Sequence, residues 1–222
     1  MTADGGVAER LAELRARIER AGGRPDAVRV VGVTKGQPAE VVRALVAVGV
    51  PDVGESYAQE LVAKADDLDD LPVRWHCIGR LQRNKVRLLA PHVHLWQSVD
   101  RLSLAAEIAR HAPGAAVLVQ VNVAGAEAQG GVPPARVAAV VEGCADLGLD
   151  VRGLMAIGPR GSTTEIGAAF RSVSQLADRL GLPERSMGMS GDLEAAVAEG
   201  STMVRVGTAL VGPRPGPPAV RR

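Results

Sequence analysis

Apolar residues recur along this chain in two alternating rhythms. Val7, Leu11, Leu14 and Ile18 repeat at helical spacing with charges between them, which predicts a helix over Val7–Ala21. Val28–Val33 is short and β-branched, and reads as a strand. Pro38 stands at a favoured first-turn position for a helix running through Val41, Leu45 and Val48 to Gly49. The alternation then repeats. Strands are predicted at Asp52–Gly54, Arg74–Ile78, Val93–Ser98, Ala115–Val123 and Val151–Ile157. Between and after them lie helical segments at Tyr57–Leu68, Gln82–Leu89, Arg101–His111, Pro133–Leu147 and Thr164–Leu180. Two Gly-punctuated runs, Met187–Met189 and Val204–Gly207, supply the last strands, with a helix from Asp192 to Glu199 between them and Gly200 as its cap.

Strict alternation of strand and helix argues for a parallel sheet covered by helices. Eight such units predict a (β/α)8 TIM-type barrel with an extra N-terminal helix over residues 1–212, and the 222-residue chain is near the small end for that fold. An open, doubly wound sheet is the alternative. Residues 213–222, PRPGPPAVRR with its preceding Gly excluded, read as a Pro-rich flexible tail.

Composition narrows the function classes. A formal net charge of +1 and 2% aromatic residues give no case for a nucleic-acid partner or an anionic membrane surface. No run is long and apolar enough to span a bilayer, and the N-terminus lacks the apolar stretch of a secretory signal. Cys77 and Cys144 have no metal-binding spacing and read as buried thiols in a reducing cytoplasm.

The candidate chemistry lies at predicted strand ends. In such barrels function gathers there, and phosphate commonly binds after strands seven and eight. Ser190 follows the seventh predicted strand and Gly207–Thr208 the eighth. Backbone N–H groups at Gly191, Gly207 and Thr208 suit a phosphate; the plainer reading is tight turns alone. Lys35 follows the first strand in VVGVTKGQP. A lysine is ordinarily a solvated surface charge, but one at a buried mouth can lose its proton and attack an aldehyde. Arg205 lies within the eighth strand, either in an ion pair with Glu55 or Asp192 or facing a cofactor ring nitrogen. In the second role it keeps that nitrogen unprotonated and mutes the ring as an electron sink. His76 and Met155 are candidates for the barrel interior; a lone strand histidine is more often structural. His92 and His94 share a strand face without a third ligand, and Gln82–Arg87 reads as a solvated basic face.

Assembled, these segments resemble the YggS/PROSC family of pyridoxal phosphate homeostasis proteins. The resemblance runs almost end to end, through VVGVTKGQP, VGESYAQE, WHCIGRLQRNK, SVDRLSLA, VLVQVNVAG, VRGLMAI and SMGMSGDLEAAVAEGSTMVRVGTALVG. It implies a single barrel resembling the N-terminal domain of alanine racemase, with pyridoxal 5′-phosphate held as an aldimine on Lys35. It implies phosphate contacts from Ser190, Gly207 and Thr208, and Arg205 at the pyridine nitrogen. Ser56, His76 and Met155 complete the expected cofactor-binding set. No catalysis is established for the family; the implied role is storage or delivery of the cofactor, with apo pyridoxal-phosphate enzymes as recipients and a monomeric carrier. Three segments depart from the family pattern. Thr34-Lys35-Gly36 replaces Ser-Lys-Thr, Ser56 stands where asparagine is usual, and Gln129 replaces a frequent lysine. An amino-acid racemase is the alternative. It needs a second acid/base, and the chain has one tyrosine, Tyr57. A Schiff-base aldolase is a third, but its lysine usually lies on a later strand.

Overall fold

The run Ala116–Val121 is buried at every position, yet its side chains divide between two cores. Val117, Val119 and Val121 pack between sheet and helices, whereas Ala116 and Leu118 pack inside a barrel. That two-sided burial is what period-2 alternation gives a strand with helices outside and a closed sheet around it. The computed structural model of the chain describes residues 3–125 and 129–214. The tail expected from residue 213 lies outside the described residues from 215 onward.

Eight parallel strands close in sequence order, with β1 (Arg29–Val33) pairing both β2 (Asp52–Glu55) and β8 (Met203–Val206). Between these are β3 (Arg74–Cys77), β4 (Val93–Val99), β5 (Ala116–Val121), β6 (Asp150–Ala156) and β7 (Glu184–Ser186). The expected (β/α)8 barrel is thus the fold. Its helices are α1 (Ala3–Arg20), α2 (Ala39–Ala47), α3 (Ala58–Asp67), α4 (Val86–Leu89), α5 (Leu102–His111), α6 (Val137–Asp146), α7 (Thr163–Arg179), α8 (Leu193–Ala198) and α9 (Thr208–Val211). The extra helix α1 lies against α2, α8 and α9. It buries Val7, Leu11, Leu14 and Ile18, the stripe its sequence spacing predicts.

The barrel interior is mixed. Val31, Leu95, Ala116, Leu118, Met155 and Met203 form one apolar cluster. Asp52, His76, Gln97, Ser186 and Arg205 are buried polar groups on the strands around it. The seam between β7 and β8 is the thinnest, with Ser186 opposite Met203 as its single register pair. Backbone bonds from Met187 to Met203 (3.0 Å), Thr202 to Arg185 (3.0 Å) and Arg205 to Gly188 (2.9 Å) extend it.

Two elements differ from the sequence expectation. The seventh strand ends at Ser186, before the Met187–Met189 run assigned to it. Gly188 has φ +93°, which breaks an extended strand, and an added Cβ there would meet the Ala196 side chain at 2.7 Å. Gly207 also opens a single helical turn, α9, which was not anticipated because four residues carry no periodicity. Elsewhere α7 starts at a reciprocal cap: Ser162 Oγ accepts from Glu165 N–H (3.3 Å), and Glu165 Oε2 accepts from Ser162 N–H (2.7 Å). Ser162→Ala should cost about 1 kcal/mol in urea unfolding. An unchanged midpoint would show that the cap contributes nothing.

Candidate functional site

Lys35 stands two residues beyond β1, at the carboxyl end of the barrel strands, in a loop held firmly from below. The buried Thr34 hydroxyl donates to Glu55 Oε1 (2.6 Å). Lys64, on α3, donates to the Thr34 carbonyl (2.7 Å), Glu55 Oε1 (2.6 Å) and Glu60 Oε1 (2.7 Å). The Gly36 N–H donates to Glu60 Oε1 as well (2.6 Å), with Gly36 at φ +70°. Burial raises the Glu55 carboxyl, and the Lys64 ammonium and Thr34 hydroxyl draw it back down. Sequence reasoning missed Lys64 and Glu60; their i,i+4 spacing on one helix was the available signal.

The chain has only three lysines, Lys35, Lys64 and Lys85. Lys64 is committed to three oxygens, whereas Lys35 has no ion pair or hydrogen bond among the described residues. Lys35 shares a shallow recess of about 30 Å³ with Val33, Gln37, Gly207, Thr208 and Arg214. The closing pair β1–β8 therefore brings the strand-one lysine to the glycine and threonine that follow strand eight. In the α9 turn the Leu210 and Val211 N–H groups donate to the Gly207 carbonyl (2.8 and 2.9 Å), and no side chain caps its Thr208 end.

Arg205 points into the barrel and is 4% exposed. It pairs with neither Glu55 nor Asp192, so the ion-pair expectation is corrected: Glu55 is occupied by Lys64 and Thr34. Instead Nη1 donates to the Ser186 carbonyl and to Ser186 Oγ (2.7 Å each), and Nη2 to the Ala156 carbonyl (2.8 Å). Arg205 thereby straps β8 to β7 and β6 across the thin seam. Burial lowers its guanidinium to about 10, with Asp192 pulling the other way, so it stays charged at neutral pH.

The other expected site residues lie apart. Ser190 is in the Met189–Asp192 turn, where the Asp192 carboxylate accepts from Met189 N–H (2.5 Å) and Arg17 from α1 donates to the Ser190 carbonyl (3.0 Å). It does not line the Lys35 recess. Ser56 lines a different and larger cleft of about 680 Å³, with Tyr57, Arg80, Lys85 and Arg101. Met155 is wholly buried among Leu118, Leu95 and Met203. Gln129 accepts from Gln120 through its carbonyl (2.9 Å), and the neighbouring residues 126–128 lie outside the described residues. The histidine pair shows no metal geometry; among the described residues no three His, Cys, Asp or Glu side chains gather. Cys77 and Cys144 are buried and free, their thiols pushed by burial to about 12 and about 11.

His76 is fully buried, between Asp52 (Nε2 to Oδ1, 2.9 Å) and Gln97 (Nδ1 to Nε2, 2.7 Å). Burial holds its pKa below the ordinary 6.5 against the pull of Asp52. As pH falls below about 6.5 the unfolded chain therefore takes up a proton that the folded protein resists, and stability falls. The urea midpoint should be lower at pH 5.5 than at 7.5, and His76→Gln should shrink that difference. The same difference in the variant would remove His76 as its source.

The model for the alanine racemase N-terminal domain matches residues 9–215. The pyridoxal phosphate homeostasis protein of Pseudomonas aeruginosa is 42% identical over 94% of this chain and 96% of its own length. That of Aquifex aeolicus is 40% identical over 93% and 97%. The structure of PipY from Synechococcus elongatus with PLP bound superposes with TM-score 0.82 at 36% identity, over 93% of this chain and all of PipY. An alanine racemase from Clostridium difficile shares the fold at TM-score 0.67 and 16% identity, and this chain covers 56% of it. Among the described residues no helix is long and apolar enough to cross a membrane. The chain belongs to the pyridoxal phosphate homeostasis protein family, built on the alanine racemase N-terminal-domain barrel.

Proposed function

We propose that this protein binds pyridoxal 5′-phosphate covalently on Lys35 and serves in cofactor homeostasis, storing or delivering it, without turning over a substrate of its own. The observation that carries the reading is the single recess shared by Lys35, Gly207 and Thr208. The residues fit the group: an amine with no partner, a Gly-Thr turn suited to phosphate, and a buried arginine held by neutral acceptors. Relatives carry the homeostasis name, and one related structure has PLP bound.

When bound, the group supplies an electrophilic aldehyde and an electron-withdrawing ring. Lys35 would hold the group through its Nζ, an amine condensing with an aldehyde with loss of water. Glu55 is engaged by Lys64, and Lys35 makes no ion pair among the described residues. Gly207 and Thr208 would hold the phosphate from the recess they share with Lys35, with Ser190 as a further donor from the β7–α8 turn outside that recess. Arg205 would meet the ring nitrogen as a cation and so disfavour a proton on it. His76 and Met155 would act from inside the barrel rather than from its mouth, and Ser56 from the neighbouring cleft.

The racemase alternative is not favoured. Tyr57 is 64% exposed and lines the Ser56 cleft, away from the Lys35 recess. The loaded protein should restore activity to an apo pyridoxal-phosphate enzyme while racemising alanine no faster than free cofactor does. Alanine racemisation well above that background would overturn the carrier reading.

A further inference from the structure

Arg205 poses an electrostatic problem. A fully buried guanidinium costs several kcal/mol unless it is paired, yet its direct partners are two carbonyls and a hydroxyl. Asp192 draws on it from the turn after β7, and a continuous line of hydrogen bonds leads from it through the barrel interior to Asp52 on β2, two strands from β8. Arg205 Nη1 donates to Ser186 Oγ (2.7 Å), Ser186 Oγ donates to Gln97 Oε1 (2.7 Å), Gln97 Nε2 meets His76 Nδ1 (2.7 Å), and His76 Nε2 meets Asp52 Oδ1 (2.9 Å). Arg74 closes the line by donating to both Asp52 oxygens from the strand's partly exposed end.

The direction of every bond is forced. Burial opposes the charge on Asp52, but bonds from Arg74 and His76 hold its carboxyl well below the ordinary range, so it only accepts. His76 Nε2 must then carry the hydrogen. A neutral ring with Nε2–H leaves Nδ1 as an acceptor, which requires the Gln97 amide nitrogen to face it. Gln97 Oε1 then faces Ser186, whose hydroxyl donates to it and leaves Oγ lone pairs for Arg205. Gln97 Nε2 also approaches Met203 Sδ at 3.2 Å, which favours the same amide orientation. Bonds aligned head to tail in a low-dielectric interior polarise one another. Protonating His76 at Nδ1 would turn Gln97 over and place two donors on Ser186.

We propose that Ser186, Gln97, His76 and Asp52 are positioning residues for Arg205, forming a one-way hydrogen-bond relay that runs from the Arg74–Asp52 ion pair through the barrel interior to the guanidinium. The relay sets the pose in which Arg205 meets its ligand while leaving neutral acceptors as its direct partners. It links β2, β3, β4, β7 and β8, and so joins the site to the far side of the sheet. The relay itself stands on this geometry; its effect on pyridoxal phosphate rests on the proposed function.

Two measurements test it. In 15N–1H NMR of the cofactor-free protein near pH 7, His76 should be neutral with its hydrogen on Nε2. A hydrogen on Nδ1, or a doubly protonated ring, would overturn the relay whatever the cofactor does. In the loaded protein, Ser186→Ala and Gln97→Leu break the line in the middle. Each should shift the absorbance band of bound pyridoxal phosphate and weaken its binding roughly tenfold, the scale of a lost bond to a charged group. Ser186→Thr, which keeps the hydroxyl, should restore the wild-type band. Folded Ser186→Ala protein with a wild-type band would also overturn the relay, and the His76 measurement decides if that variant does not fold. A wild-type protein that forms no adduct on Lys35 would instead refute the proposed function and leave the His76 result to judge the relay.

Discussion

Replacing Lys35 with alanine should abolish the covalent attachment of pyridoxal 5′-phosphate and leave only weak retention through the phosphate and ring contacts. The expected loss of affinity is on the order of 100-fold, or about 2.7 kcal/mol. No other lysine is placed to substitute. Lys64 is spent on Thr34, Glu55 and Glu60, and Lys85 lines the separate cleft beyond Ser56. Lys35→Arg separates charge from chemistry, because a guanidinium keeps the cation but does not attack an aldehyde. It should behave like the alanine variant in absorbance. A Lys35→Ala protein that still shows the bound-cofactor band and wild-type affinity would contradict the assignment.

The second large effect is at Lys64. Removing one member of a buried ion pair leaves the other charged and unpaired, which costs about 3–5 kcal/mol. Lys64→Met should therefore lower the melting temperature by roughly 10 °C. It also removes the bond to the Thr34 carbonyl, so the Lys35 loop loosens and cofactor binding weakens with stability. Glu55 is a carboxyl raised by burial, and without Lys64 it rises further. Stability from such a group is present at low pH and is lost as pH rises through its folded pKa. The variant should accordingly be less impaired at pH 5 than at pH 8. Glu55→Gln with Lys64→Met should recover most of the loss, since both charges leave together. A Lys64→Met protein within 1 kcal/mol of wild type would show that the cluster does not support the loop.

Much of the barrel was legible because it depends on short-range pattern. The α1 stripe of Val7, Leu11, Leu14 and Ile18, and the alternating burial of Ala116–Val121, follow from helical and strand periods. Lys35 and the Gly207–Thr208 turn were found from their places at strand ends, and closure of β1 on β8 brings them together. What escaped depends on partners distant in sequence or on conformations without periodicity. The end of β7 was set by one positive φ at Gly188. Gln97 and Ser186, 89 residues apart, have meaning only once the barrel places them against each other. Asp52 looked like a strand-opening polar residue, and its role follows from Arg74 and His76 on the next strand. Ser56 was drawn toward Lys35 by its motif, but its loop lines the neighbouring cleft.

The most direct measurement is mass-spectrometric peptide mapping of wild-type protein loaded with pyridoxal 5′-phosphate and reduced with sodium borohydride. The chain's three lysines make the outcome discrete. The account predicts a stable phosphopyridoxyl mass on the peptide containing Lys35 and on no other; the same mass on Lys64 or Lys85, or on neither of them nor Lys35, would contradict it.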